Sequence, residues 1–483
     1  MQEEQMADLS VYARSKVEAE GTLYFLARVA EGKRLVVDGD AAGFVGEQRG
    51  GLLLCSLTAG NASALRQRLP WLRPQPLGLV QSVGCGDRLG LATPGHIRAV
   101  RKTGEFAPIL AQQSMRENAR TGRSPQDVLD DAMWGVFQEG WQEPWGADAD
   151  HLKTMDDVDL CVAAGYTFYT VDPGDHVDNE AHSAPLDVLK DKFRDLPWVD
   201  LDESPEGLRR RYLGRDFEVE DLVLAFDETT LARAAAKYGQ AIAHTAKMYR
   251  HLAAAMGPRS FELEVSVDET ETPTSPLEHY FVASELRRLE VQWVSLAPRY
   301  IGRFEKGVDY IGDLSAFDAD LAKHAAVARV MGPYKLSIHS GSDKFSAYPI
   351  YARQARELVH LKTAGTSYLE ALRAIAAVDP GFFRGILAYA RERYEEDRAT
   401  YHVSADVTKV PAPQDLTDGE LAGVLDLFDG REVMHVTFGS VLDRYGERLL
   451  AVLDEYEEAH YAAVDAHFER HLAPFVGEGA RHG

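Results

Sequence analysis

The sequence predicts an α/β protein built on a (β/α)8 TIM barrel, and three observations carry that prediction. Eight short apolar or alternating runs, each bounded by turn residues, recur along the chain. Helical stretches separate most of them, as parallel strand–helix–strand units require. Polar, chemically active residues collect at the C-terminal ends of the runs, the face that carries the active site in such barrels.

In order, strands are expected near 82–88 (SVGCGDR), 108–113 (PILAQQ), 145–151 (WGADADH) and 166–172 (YTFYTVD). Four more follow near 260–268 (SFELEVSVD), 291–298 (VQWVSLAP), 334–339 (YKLSIH) and 358–363 (LVHLKT). Helices are expected between them, for example over 124–140 and 155–164. Residues 1–80 read as a small cap with strand-like pieces, and 81–370 as the catalytic barrel. Residues 175–258 read as a helical insertion whose Ala-rich segment has the spacing of a packing or oligomer helix. Residues 371–483 read as a mostly helical extension, interrupted by two strand-like pieces, ATYHVSADV and EVMHVTFGS, and ending in a flexible tail, VGEGARHG.

The chain has 483 residues and a formal net charge of −24, with 45% hydrophobic residues. Such a composition buries a large core. The acidic surplus argues against nucleic acid and anionic membrane as partners, because no basic excess exists to displace counterions. It leaves room for a small anionic ligand in a local basic pocket. Three scattered cysteines make neither a disulfide framework nor a zinc knuckle. The acidic start, MQEEQMADLS, does not read as a targeting peptide. A cytoplasmic protein is expected.

Asp87, Gln113, Asp150, His151, Asp172, Asp268, His339 and Lys362 all fall at or near strand ends. At the end of strand three the chain turns, so the adjacent Asp150 and His151 can both reach the mouth. A carboxylate beside a metal-bound imidazole places a base next to a Lewis acid. The bland alternative is an aspartate capping the next helix beside a surface histidine. Alternation in YKLSIH puts Lys335, Ser337 and His339 on one face. The SGSDKF segment that follows adds Ser340, Ser342 and Lys344, which suit a polyhydroxylated, anionic ligand.

Strand five turns Glu262, Glu264, Ser266 and Asp268 inward, and carboxylates placed there need a metal or lysine partner. Glu264 is the candidate general acid. Lys362 on strand eight could bind a substrate carboxylate, stabilise an enolate or form a Schiff base, or else pair with the strand-five acids. Arg299 and Glu305, after strand six, could supply an anion clamp and a further oxygen ligand. His402 and His435 are held in reserve, and His460, His467 and His471 receive no role.

The runs AGYTFYTVDPGDHVDN, FELEVSVDETETPTSPLEHYFVASEL, SLAPRYIGRFEKGVDYIGDL, YKLSIHSGSDKFSAYPI and HLKTAGTSYLEALR resemble the tagaturonate epimerase family over most of residues 80–440. The order GADADHL, AGYTFYTVD, LEVSVDET, APRYIGRFE, SIHSGSDKF and HLKTAGTSYLEAL is more distantly similar to the accessory subunit of tagatose-bisphosphate aldolase. Both resemblances imply a barrel of the class II aldolase type. The first implies a metal-dependent isomerase that interconverts D-tagaturonate and D-fructuronate. Related members act on the ketohexoses tagatose and fructose at C4.

The inverted carbon is β to the ketone, so enolisation next to the ketone cannot reach it. Retro-aldol cleavage and re-addition to the opposite face can. The resemblance makes Asp150 the base, His151 and His339 metal ligands with Glu305 a third, and Glu264 the opposite-face acid. The implied cofactor is a divalent ion (Zn, Mn or Ni). Lys362, Arg299, Ser340, Ser342, Lys344, Gln113 and Asp172 would bind the substrate. Stepwise deprotonation by Asp150 and Glu264 is the alternative mechanism, and a non-catalytic accessory subunit the alternative function. A homo-oligomer is an open expectation.

Overall fold

The computed structural model describes residues 9–363 and 365–477, so the expected flexible tail lies outside the described residues from 478 onward. Eight parallel strands close into a barrel in sequence order. They are strand one (Ser82–Cys85), two (Ala107–Ser114), three (Gly146–Leu152), four (Phe168–Val171), five (Glu262–Ser266), six (Ser295–Ala297), seven (Lys335–Ile338) and eight (Val359–Thr363). Each coincides with one of the eight runs. The register puts Thr170 opposite Glu264, Glu264 opposite Ser295, and Ser295 opposite Lys335, so these four share one level of the barrel.

Local sequence explains the elements between the strands. Helix Met155–Ala164 starts at Thr154, whose hydroxyl caps Asp157 N–H while Asp157 caps back, and it stops at Gly165 in the left-handed conformation (φ 100°). Ser124 and Asp127 form the same reciprocal cap for Pro125–Glu139. On strand five Leu263 and Val265 are buried on the helix side, while Glu262 and Glu264 turn into the barrel, as the alternation predicts.

The chain divides into two compact units. The first comprises residues 1–75, 85–147 and 364–483, the second 76–84 and 148–363. In the first, an antiparallel sheet formed from residues 10–55 packs Phe25, Ala27, Val36, Leu52 and Leu54 together. Its C-terminal portion is a helical assembly around a core that includes Leu372, Phe383, Leu387 and Phe438. The second unit carries the insertion, with a hairpin (Asp216–Val219 and Leu222–Ala225) and a 29-residue helix, Glu228–Met256. Among the described residues, no helix is long and apolar enough to cross a membrane.

The two strand-like C-terminal pieces are not strands. EVMHVTFGS falls in helices Phe428–Val436 and Phe438–Glu455, and ATYHVSADV is a short 3-10 turn followed by irregular chain. Val433, Met434, Val436 and Phe438 all enter the helical core, and packing on several sides outweighs β-branched propensity. His460, His467 and His471 lie on one face of helix Glu457–Leu472 and are buried. Cys55, Cys85 and Cys161 are buried, free thiols.

Candidate active site

The site lies inside the second unit, at the C-terminal ends of strands three, four, five, seven and eight. Strand three creates it by breaking its own regularity. Ala149 pairs with Tyr169 but Leu152 pairs with Val171, so strand three carries one residue more than strand four across that interval. The extra residue is absorbed at Asp150–His151, where His151 adopts φ +52°. A left-handed residue other than glycine costs roughly 1–2 kcal/mol. The bulge turns two adjacent side chains to the same mouth, which a regular strand would send to opposite faces.

His151 and His339 then meet edge-on, with ring centroids 4.3 Å apart and the two Nε2 atoms at 2.7 Å. Each ring is held from behind by a carboxylate. Asp172 Oδ2 lies 3.1 Å from His151 Nδ1, and Glu264 Oε1 lies 3.1 Å from His339 Nδ1. Carboxylates accept, so both Nδ1 atoms carry hydrogen and both Nε2 lone pairs converge on one point. Two lone pairs this close need a positive charge between them, a proton or a metal ion. Asp150 Oδ1 stands 3.3 Å from His339 Nε2, and Glu269 Oε1 stands 3.6 Å from His151 Nε2. The donor atoms of Asp150, His151 and His339 converge closely enough to hold a metal ion, and so do those of His151, Asp172 and Glu269.

Beneath this pair sits Lys362, fully buried. Its ammonium lies 2.8 Å from Asp148, 2.9 Å from Asp150 and 2.9 Å from Glu264, and donates to Thr170 Oγ1 at 2.6 Å. Burial alone would lower the Lys362 pKa, but the three carboxylates raise it well above the usual lysine range. The amine therefore stays protonated, which removes the Schiff-base option. Burial pushes Asp148 up, to about 7. Burial also opposes ionisation of Asp150, yet Lys362, His151 and His339 together hold it well below the usual carboxylate range. Glu264 is likewise held low by Lys362 and His339 against burial, and Ser295 donates to its other oxygen at 2.6 Å. His339 would be lowered by burial, but Asp268 and Asp150 lift it to about 10.

The remaining predicted residues divide by what they touch. Asp268 accepts from Ser266 Oγ at 2.6 Å and from Ser340 Oγ at 3.4 Å, which places Ser340 beside the site. Glu305 faces Arg303 at 3.2 Å and belongs to neither convergent donor set. Lys344 is fully buried and donates to the backbone carbonyls of Glu305, Val308 and Ser342 at 2.6–2.7 Å. It staples the loop after strand six to the loop after strand seven. Arg299 donates to the Thr270 and Tyr300 carbonyls. Gln113 lies in the first unit, where its Nε2 donates to Thr121 while its buried Oε1 makes no hydrogen bond among the described residues. His402 is exposed and His435 is buried on its helix.

Sequence reasoning missed Asp148, Thr170, Ser295 and Glu269. Asp148 was legible, because GADAD puts it on the same strand face as Asp150. Glu269, one residue past Asp268, had no period to mark it.

A family model described as tagaturonate epimerase (UxaE) matches residues 12–475. The chain belongs to the tagaturonate epimerase family. It is therefore a carbohydrate epimerase, of the isomerase class. It is 46% identical over 439 residues, 89% of each chain, to a tagaturonate/fructuronate epimerase of Thermotoga maritima. Among solved structures it is similar to the fructuronate-tagaturonate epimerase of Cohnella laeviribosi. The form complexed with one glycerol gives a TM-score of 0.93 at 38% identity, covering 98% of both chains. The native form gives 0.93 at 39% identity, covering 97% of both.

Proposed function

We propose that this chain interconverts D-tagaturonate and D-fructuronate, with Asp150 and Glu264 as its acid/base pair and His151 and His339 holding a divalent ion such as Zn, Mn or Ni. The observation that carries the reading is the 2.7 Å approach of two imidazole Nε2 atoms, each backed by a carboxylate on Nδ1. Imidazoles oriented in this way by carboxylates are ordinary metal ligands. Nitrogen and oxygen donors together suit a borderline divalent ion. Glu269 Oε1 stands 3.6 Å from His151 Nε2 and joins a convergent donor set with His151, which makes it the preferred third ligand.

When bound, the ion would polarise the substrate ketone and stabilise the negative charge that develops on it. The chain's own residues do the rest. Asp150, held ionised by Lys362 and the histidines, accepts the hydroxyl proton of the carbon to be inverted as the adjoining C–C bond breaks. The bonding electron pair passes into the enolate of the ketone fragment, and the other fragment becomes an aldehyde. Once that aldehyde presents its opposite face, re-addition forms the inverted alcohol, and a proton must reach the new alkoxide from the other side. Lys362 Nζ touches Asp150 Oδ1 and Glu264 Oε1, so the proton has a route between them without leaving the site. Ser295 fixes Glu264 for that return. Asp172 acts by orienting His151, and Lys344 by fixing the loop that presents Ser340 and Ser342.

The test is direct. Purified protein is incubated with D-tagaturonate, D-fructuronate, D-tagatose and D-fructose, and the epimers are resolved by NMR. Conversion of the uronates supports the reading. Conversion of the neutral ketohexoses alone would replace it with a ketohexose 4-epimerase, and conversion of none would overturn it.

A further inference from the structure

We infer that Arg299 is the residue that selects an acid sugar over its neutral counterpart, an inference that rests on the epimerase reading above. Three cations were expected at the mouth, and two have their charge or donors committed. Lys362 is clasped by Asp148, Asp150 and Glu264. Lys344 directs its ammonium at three backbone carbonyls. Two rim lysines are paired as well, Lys306 with Glu269 at 3.0 Å and Lys153 with Asp175 at 3.0 Å.

Arg299 differs. It follows strand six by two residues, and its guanidinium is half-buried. Nε donates to Thr270 O at 3.2 Å and Nη1 to Tyr300 O at 2.9 Å, so the fork is anchored in place by the loops after strands five and six. Among the described residues, no carboxylate lies at ion-pair distance from it and Nη2 makes no hydrogen bond. The carboxylate that acts on it electrostatically is Asp268, whose two oxygens already accept from Ser266 and Ser340. Asp268 in turn acts on His339, so the anchored guanidinium belongs to the same end of the barrel as the histidine pair. A fixed, half-desolvated arginine with an open donor is a carboxylate receptor, and a uronate supplies one carboxylate that a ketohexose lacks. Leaving the arginine unmatched is also what penalises the neutral sugar.

Competitive inhibition of D-tagaturonate turnover by D-mannonate and by D-mannitol reads this selection without requiring turnover of a neutral sugar. The wild type should prefer the acid. Arg299→Gln should lose about 10- to 100-fold of that preference, the range expected for a hydrogen bond to a charged group. It should do so through the mannonate inhibition constant and the KM for tagaturonate, with kcat little changed. Arg299→Lys, which keeps the charge without the fork, should retain part of the preference. If both variants fold, as judged by thermal unfolding, and both keep the full acid preference, the inference fails. A wild type that does not turn over D-tagaturonate would instead overturn the epimerase reading itself. Should Arg299→Gln fail to fold, Arg299→Lys decides alone: unchanged preference and KM contradict the inference, and a partial loss in both supports it.

Discussion

His151 and His339 face each other with their Nε2 atoms 2.7 Å apart, and each is locked from behind by a carboxylate. The arrangement aims two lone pairs at one point and fixes both tautomers. Strand three achieves it by spending a bulged, left-handed residue, and strand seven by ending one residue before His339.

Removing the brace behind one ligand should weaken metal binding without abolishing the fold. Asp172→Asn keeps the shape but not the charge that orients His151. Metal affinity is expected to fall about 10- to 100-fold. Competition with a chromophoric chelator measures it, and unchanged affinity would show that Asp172 is not a brace.

The acid/base pair should fail in both variants. Asp150→Asn and Glu264→Gln should each lower kcat by roughly 10²- to 10⁴-fold. Metal content measured alongside separates lost chemistry from lost metal. If Glu264→Gln retains near-normal turnover, the second proton comes from elsewhere.

Much of this site is legible in the sequence, and the reasons for the exceptions are physical. Alternation with period two exposes Glu264, His339 and Lys362, because a barrel interior and its helix-facing side demand opposite chemistry. Proximity in the fold has no such period, so Glu269 gives no sign of reaching His151. The partners of Lys344 are backbone carbonyls of Glu305, Val308 and Ser342, and carbonyls are invisible to composition; its charge reads as a ligand-binding group although its hydrogen bonds are structural. EVMHVTFGS reads as a strand from its β-branched residues, whereas burial within a helical core decides otherwise.

That structural role predicts a specific defect. Lys344→Met leaves three carbonyls without their donor, at a cost of about 3–5 kcal/mol. Chemical denaturation should report the loss directly. A variant of unchanged stability with a raised KM would instead make Lys344 a substrate ligand.

Acid sensitivity follows from buried histidines. His360 is fully buried beside Ser82 Oγ at 2.9 Å, and burial lowers it from 6.5 to about 3. The unfolded chain therefore binds the proton first, so stability is complete above pH 6.5 and falls as pH drops toward 3. The full loss from this group approaches about 5 kcal/mol. His360→Gln should flatten the stability profile over that window, measured by urea unfolding at each pH. His96 and His460, both lowered to about 4, should keep part of the slope. An identical profile in wild type and variant would contradict the assignment.

The most direct test of the central claim is the rate of D-tagaturonate epimerisation by protein stripped of metal, with metal content verified by mass spectrometry. The account predicts no turnover in the stripped protein, recovery with about one equivalent of Zn, Mn or Ni, and no recovery for a His151→Ala, His339→Ala double variant. Full turnover by the metal-free wild type would contradict it.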